Sequence, residues 1–322
     1  MQAIEIRRTG GPEVMELVDI ELGPPGPGQA LVRNAAIGVN YRDIYLRTGL
    51  YEMPLPGRLG SDAAGTVQAV GPGVTAVRPG DRVVYISGGS GTYATHTLVD
   101  ADSLVLLPPE IAADVATAIW LRGTTAEFLV ERCARIRRGD TVLVTAAAGG
   151  VGLLLCQWLS YLGARTVGVV GSEAKVAEAK AAGADEVLVG YAGMSGPVRE
   201  RTGGRGVDVV LDSVGRDSFA AALDCLRPRG LMVTYGNASG PVDPVAPALL
   251  AAKGSLFLTR PILFDYIGDP AERRRSSARL LELVGAGVLR ARIGQTYGLA
   301  EAAKAHADME ARRTTGATIL IP

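Results

Sequence analysis

At 322 residues the chain is long enough for two domains of ordinary size. Apolar residues make up 48% of it and charged residues 20%, a balance that excludes intrinsic disorder. Basic and acidic side chains number 33 each, so no net field draws a nucleic acid or an anionic membrane to the surface, and a dedicated binder of either is not expected.

In chain order, the first 110 residues read as short strands punctuated by Gly and Pro: Gln29 to Ala36, Ala64 to Val70, and Asp81 to Ile86 after the turn-rich run GPGVTAVRPGD. Asp114 to Arg132 has helical spacing of apolar residues, with Asp114 placed to cap it. A strand–helix alternation follows. TVLVTA (141–146) is a continuous apolar run, and a helix is expected from Val151 to Leu162. TVGVVG (166–171) is the next strand, followed by a helix over Glu173 to Ala182. EVLV (186–189), VDVVLDSVG (207–215), LMVTYG (231–236) and SLFLTR (255–260) continue the series. Strands without alternation are buried on both faces, which predicts a parallel sheet flanked by helices. A further helix is expected over Ala271 to Gly287. The terminal GATILIP is a strand that returns to the N-terminal β domain. The expected domains are therefore 1–124 with 266–322, and 125–265 between them.

Cys133, Cys156 and Cys225 are far apart and form no paired framework, which predicts a reduced, cytoplasmic protein. His96 and His306 are isolated, so no metal site is expected, and each histidine reads as a surface or packing residue. The N-terminus lacks an apolar leader and no stretch of 18 apolar residues occurs, so neither export nor a membrane span is expected. Two arginine clusters, 132–138 and 272–277, read as solvated helix faces in a chain whose basic residues are nearly all arginine. Cys156 is expected to be buried and inert.

Between a buried strand and an amphipathic helix lies AAGGVG (147–152). Glycines at that junction let the backbone approach a pyrophosphate, which then rests on free N–H groups at the helix N-terminus. About 20 residues on, an NAD enzyme places a carboxylate that accepts from the ribose 2′-OH. Here Gly171 and Ser172 stand in that place, and Lys175 follows one turn later, suited to a 2′-phosphate. This pattern favours NADPH. Glu173 keeps NADH open, because a turn shifted by one residue would face it to the ribose.

GGPEVMEL (11–18), AIGVNYRDIYLRTGLY (36–51), LGSDAAGTV (59–67), AAAGGVGLLLCQW (146–158), DSVGRDSF (212–219), GLMVTYGNASG (230–240), LTRP (258–261) and the terminal ILIP together resemble the zinc-free quinone oxidoreductases, the zeta-crystallin-like branch of the medium-chain dehydrogenase/reductases. The resemblance runs end to end. It implies an α/β protein with a discontinuous GroES-like β domain and a Rossmann domain, NADPH as cofactor, and a homodimer joined through the Rossmann sheet edge at SLFLTR. Zinc-dependent relatives carry a Cys near the NYRD position, a Gly-His-Glu segment and a four-cysteine lobe. This chain has Asn40, then Gly60-Ser61-Asp62, and no lobe.

Matched motif by motif, the resemblance places Asn40, Tyr41, Asp43 and Tyr45 on the nicotinamide side, Thr125 by the nicotinamide ribose, and Gly149, Gly150, Val151 and Gly152 on the pyrophosphate. Gly171, Ser172, Lys175 and Tyr191 would hold the 2′-phosphate end. Ser213, Gly236, Asn237, Ala238, Thr259, Arg260 and Arg312 would complete the cofactor site. Reducing a simple ketone leaves a strongly basic alkoxide, whereas a quinone or an enone leaves a delocalised anion that hydrogen bonds can hold. Asn40, Tyr45, Tyr51 and Arg260 suit the second case. Tyr51 is the candidate donor to the substrate oxygen, or else an aromatic packed under a loop, and Asp43 is expected to orient its neighbours. The expected activity is NADPH-dependent reduction of a quinone. The alternatives are reduction of an enone or alkenal double bond, and a non-catalytic role, since members of the family serve as NADPH-binding lens crystallins and some bind RNA. Neutral charge and 5% aromatic residues speak against RNA here.

Overall fold

The computed structural model describes residues 1–88 and 91–322. The chain forms two compact units, one of 1–122 with 291–322 and one of 123–290.

The first unit is built on the long strand Gln29–Val39. Asp62–Val70, Ala317–Ile321 and His96–Asp100 all pair antiparallel with it, and Arg82–Ile86 and Leu104–Leu106 extend the sheet beyond Asp62–Val70. The C-terminal strand therefore pairs in the N-terminal sheet. A smaller sheet of Glu16–Asp19, Gln2–Ile6 and Gly57–Arg58 completes the β structure. Burial along Gln29–Val39 alternates at first and becomes continuous from Ala36, because the second half of the strand is covered on both faces. Ile4, Ile6, Val32, Ile37, Leu59, Tyr85, Tyr93 and Leu320 share one core. The chain leaves the long strand directly into the helix Tyr41–Thr48, which Gly49 ends in the left-handed conformation (φ 81°).

The second unit carries a six-stranded parallel sheet in the spatial order Glu186–Val189, Arg165–Val170, Thr141–Thr145, Val207–Asp212, Leu226–Thr234, Phe257–Thr259. Every residue of Thr141–Thr145 and of Val207–Asp212 is buried, as two covered faces demand. The chain winds outward from Thr141–Thr145 in one direction and then returns to wind in the other. A topological switch point thus lies between Thr141–Thr145 and Val207–Asp212, and the crevice beyond their carboxyl ends is where such sheets bind ligands.

The expected return to the first unit at 266 is corrected to 291. Residues 266–290 belong to the second unit because their helix, Pro270–Gly285, packs on the segment after 123. Ser276 Oγ donates to Glu127 Oε2 (2.8 Å), Arg279 Nε to Glu131 Oε1 (2.9 Å), and Phe128 stacks on Tyr266 with ring centres 4.4 Å apart. Leu280 and Leu283 are buried beneath that helix. Asp114, expected as a cap, lies inside the helix Ala113–Glu127, where its carboxylate accepts the N–H of Val115. The helix expected over Glu173 to Ala182 is divided into a 3-10 turn, Glu173–Lys175, and a short helix, Val176–Ala181.

Candidate active site

In the second unit, the strand Thr141–Thr145 ends in a turn that passes through Ala146 at φ 49° and enters the helix Gly150–Leu162 at Gly149. Gly149 is extended (φ −80°, ψ 170°) and no side chain caps the helix. The first-turn N–H groups of Gly150, Val151 and Gly152 therefore open on the switch point as an anion-binding end. A Cβ on Gly152 would lie 2.3 Å from Ala146 O, so only glycine lets this helix pack so closely on its strand.

Across the switch point, Asp212 ends its strand fully buried. It accepts from Thr145 Oγ1 (2.7 Å), Ser218 Oγ (2.6 Å) and the N–H of Gly215 (3.1 Å). Burial pushes its carboxyl above the usual range, and these donors pull it back. The next loop is laced to this one: Tyr235 N–H donates to Asp212 O (2.7 Å), Ala238 N–H to Ser213 O (3.1 Å) and Ser239 N–H to Val214 O (2.8 Å). A Cβ on Gly236 would lie 2.4 Å from Ser213 O, so glycine is required for the two loops to touch. Arg260 Nη1 donates to Thr234 O (2.8 Å). With its carboxamide oriented to satisfy both ends, Asn237 donates to Gly236 O and accepts from Arg260 Nη2, each at 3.0 Å. The structure thus brings Ser213, Gly236, Asn237, Ala238 and Arg260 together, with Thr259 next in chain.

Gly171 and Tyr191 lie just past paired strand ends. Val170 pairs with Val189, and Gly190 N–H donates to Val170 O (2.9 Å), so both residues follow the same ends of adjacent strands. Gly171, Ser172 and Glu173 are exposed, Lys175 is half-buried, and Tyr191 packs its ring against the core of the unit. Thr125 is half-buried on the helix Ala113–Glu127.

In the first unit, Asn40 sits at the junction of the long strand with the helix Tyr41–Thr48, almost wholly buried. Its Nδ2 donates to Asp62 Oδ1 (2.7 Å) and its N–H to Asp43 Oδ2 (2.8 Å). Asp43 also accepts from Ser61 Oγ (2.5 Å) and Tyr93 OH (3.1 Å). At 0% exposure Asp43 presents no surface, which suits the orienting role expected of it. Burial raises the carboxyl of Asp43 above the usual range and that of Asp62 to about 6. Tyr45 meets Tyr51 edge to face, ring centres 5.2 Å apart, and Tyr41 lies 6.1 Å from Tyr45. The Tyr41 hydroxyl donates to Met309 O (2.9 Å), and the charge of Arg312 reaches it.

Sequence reasoning assigned no role to Asp62 and Asp212, and read His306 as a surface or packing residue. His306 is fully buried between Arg47 (Nδ1, 3.3 Å) and Tyr93 (Nε2, 3.0 Å). Asp62 and Asp212 lay inside quoted motifs, but nothing in a motif reports that a carboxylate is inward. Cys156 is buried, which pushes its thiol up to about 12. Among the described residues no three His, Cys, Asp or Glu side chains gather as a metal-ligand group, and no helix is long and apolar enough to cross a membrane.

Two family models match: Alcohol dehydrogenase GroES-like domain over residues 26–109, and Zinc-binding dehydrogenase over 182–320. A quinone oxidoreductase of Pseudomonas aeruginosa is 44% identical over 99% of both chains. A 2-haloacrylate reductase of a Burkholderia species is 39% identical over 100% of this chain and 99% of its own. The crystal structure of Escherichia coli quinone oxidoreductase complexed with NADPH superposes with a TM-score of 0.97 at 42% identity, each chain covered in full.

Proposed function

Since the chain belongs to the quinone oxidoreductase branch of the medium-chain dehydrogenase/reductases, we propose that it reduces quinones with NADPH. The observation that carries this reading is the uncapped N-terminus of Gly150–Leu162 at the switch point, beside a neighbouring strand, Arg165–Val170, that is followed by Gly171 and Ser172 where a ribose-binding carboxylate would stand. These residues fit the cofactor. The N–H groups of Gly150, Val151 and Gly152 hold the pyrophosphate, and the Ser172 hydroxyl and Lys175 ammonium take the 2′-phosphate, with Tyr191 beside them. Ser213, Gly236, Asn237, Ala238, Thr259 and Arg260 flank the nicotinamide half, with Thr125 on its ribose. When bound, NADPH supplies the hydride.

The remaining work is positioning and electrostatics. By the resemblance, Asn40 and Tyr45 would serve the nicotinamide and the acceptor, with Tyr41 and Arg312 at their margin. The Tyr51 hydroxyl is the candidate donor to the acceptor oxygen as charge develops on it. Asp43 holds the start of the helix that carries Tyr45. We further propose a homodimer through the edge strand Phe257–Thr259, where Phe257 is 62% exposed, and a cytoplasmic location, which three free thiols suit.

The relative named for a 2-haloacrylate supports a second reading, in which the acceptor is a conjugated double bond. The test is oxidation of NADPH and NADH by the purified protein with 1,4-benzoquinone, 9,10-phenanthrenequinone and a panel of enones, chelator present. Rapid turnover of quinones with NADPH is expected. A higher kcat/KM for enones would replace the quinone by the second reading, and equal use of NADH would move the ribose contact to Glu173.

A further inference from the structure

We propose that Asp62 is a positioning residue for the reaction: its carboxylate fixes the carboxamide of Asn40 so that the amide oxygen, and not the NH2 group, is what Asn40 offers to the bound reactants. This rests on the reading of Asn40 as a site residue given above.

A carboxamide has two orientations of almost equal shape, one presenting an acceptor and the other a donor. Which one Asn40 adopts depends on its partner. Asp62 is the first residue of the strand Asp62–Val70 and is 0% exposed. Its Oδ1 accepts from Asn40 Nδ2 at 2.7 Å. An ionised carboxylate only accepts, so the NH2 group must turn toward Asp62 and the oxygen away from it. A neutral partner can donate as well as accept and imposes no such choice.

The surroundings show that this carboxylate is held at a cost. It is wholly buried, with Asn40 and the backbone of Leu121 as the hydrogen-bonding groups that favour its charge against the cost of desolvation. Room for Oδ1 exists only because residue 38 is glycine, since a Cβ there would lie 2.2 Å from it. The charged groups facing Asp62 are Arg122, on the helix Ala113–Glu127, and the Asp43 carboxylate, on Tyr41–Thr48, with the phenols of Tyr85 and Tyr93 within electrostatic reach. Arg122 is itself anchored on Val39 O (2.6 Å) and Thr318 O (3.2 Å), so its charge is fixed in place. It favours the ionised form of Asp62, whereas burial and Asp43 oppose it, and the balance lies at about 6. Protonation therefore releases the choice at Asn40 just below neutral pH.

In Asp62→Asn, the field of Arg122 draws the new amide oxygen to itself. The new NH2 then faces Asn40, whose carboxamide must turn over. The experiment compares wild type, Asp62→Asn, Asn40→Ala and the double variant, reading kcat and KM for NADPH and 1,4-benzoquinone from pH 5 to 9, with melting temperature at pH 8. For Asp62→Asn the expectation is a retained or raised melting temperature, a fall in kcat/KM of about tenfold or more, and loss of the acid limb that is expected of wild type near pH 6. Asn40→Ala should lose the same limb, and adding Asp62→Asn to it should change nothing further. Wild-type kinetics in Asp62→Asn beside an impaired Asn40→Ala would overturn the proposal alone. Wild-type kinetics in Asn40→Ala would overturn the site reading with it. Should Asp62→Asn not fold, an acid limb persisting in Asn40→Ala is itself sufficient to overturn the proposal.

Discussion

Lys175 is one of only four lysines in the chain, and it stands half-buried one turn past the exposed Ser172. A charge-assisted bond to a phosphate is worth about 1.5–3 kcal/mol. Lys175→Ala is therefore expected to raise the KM for NADPH by about 10- to 100-fold and leave that for NADH nearly unchanged, as steady-state kinetics with both cofactors will show. An equal rise for both would mean that Lys175 supports the loop and not the phosphate. The glycines of 149–152 and the missing carboxylate at 171–172 were legible in the sequence because backbone approach and charge type are written in residue identity. Asp43 was legible as an orienting group, but its complete burial was not. Asp62 was legible only as part of a family motif and as a departure from a zinc-binding pattern. Its value to Asn40 depends on two strands and a helix end converging, which no spacing reports.

At the scale of elements, the helix Tyr41–Thr48 is tied to the helix Ala302–Glu310 by a directed chain of hydrogen bonds. Asp43 accepts from Tyr93 OH, so the Tyr93 oxygen accepts from His306 Nε2–H, and His306 Nδ1 accepts from Arg47, which also donates to Glu310 at 2.7 Å. This order requires a neutral imidazole. Burial, with the nearby charge of Arg47, lowers the His306 pKa from 6.5 to about 3. The unfolded state thus binds the extra proton between those values, and stability falls as pH drops from 6.5 toward 3, by about 1.4 kcal/mol per pH unit. Asp62 acts in the opposite sense. Its folded pKa lies above its usual 3.8, so the folded state binds the proton first and gains stability as pH drops from about 6 to 3.8. The two offset one another over that window. Urea denaturation at pH 7 and pH 4.5 is expected to show a steeper acid loss in Asp62→Asn than in wild type, and an equal slope would remove one of the two groups from this balance.

For the whole molecule, the sheet of the second unit ends in a three-residue strand, Phe257–Thr259, with Phe257 62% and nearby Ile262 56% exposed. An unpaired edge bearing apolar side chains invites pairing with another chain. Phe257→Glu is expected to shift sedimentation equilibrium from dimer to monomer, whereas a wild-type protein that is already monomeric at micromolar concentration would refute the edge assignment. The division of the chain into units was read nearly right at its first boundary and 25 residues early at its second. The rhythm of strand and helix stops after SLFLTR, but the helix Pro270–Gly285 stays with the second unit through Glu127, Glu131 and Tyr266. Those partners are remote in sequence, and a helix of this composition carries no mark of which core it covers.

The sequence by itself determined the α/β class, the parallel sheet, the glycine turn between strand and helix, the absence of a carboxylate at 171–172 and the family. Each of these depends on residue type at short range: continuous apolar runs, glycine where a backbone must approach, and a carboxylate present or absent. The tertiary structure alone decided which polar groups face inward and what they hold. The pairing of Asp62 with Asn40, the neutral His306 between Arg47 and Tyr93, and the Asp212 hub at the switch point each join segments far apart in the chain. Desolvation gives these groups their altered proton affinities, and it exists only once the core has closed around them.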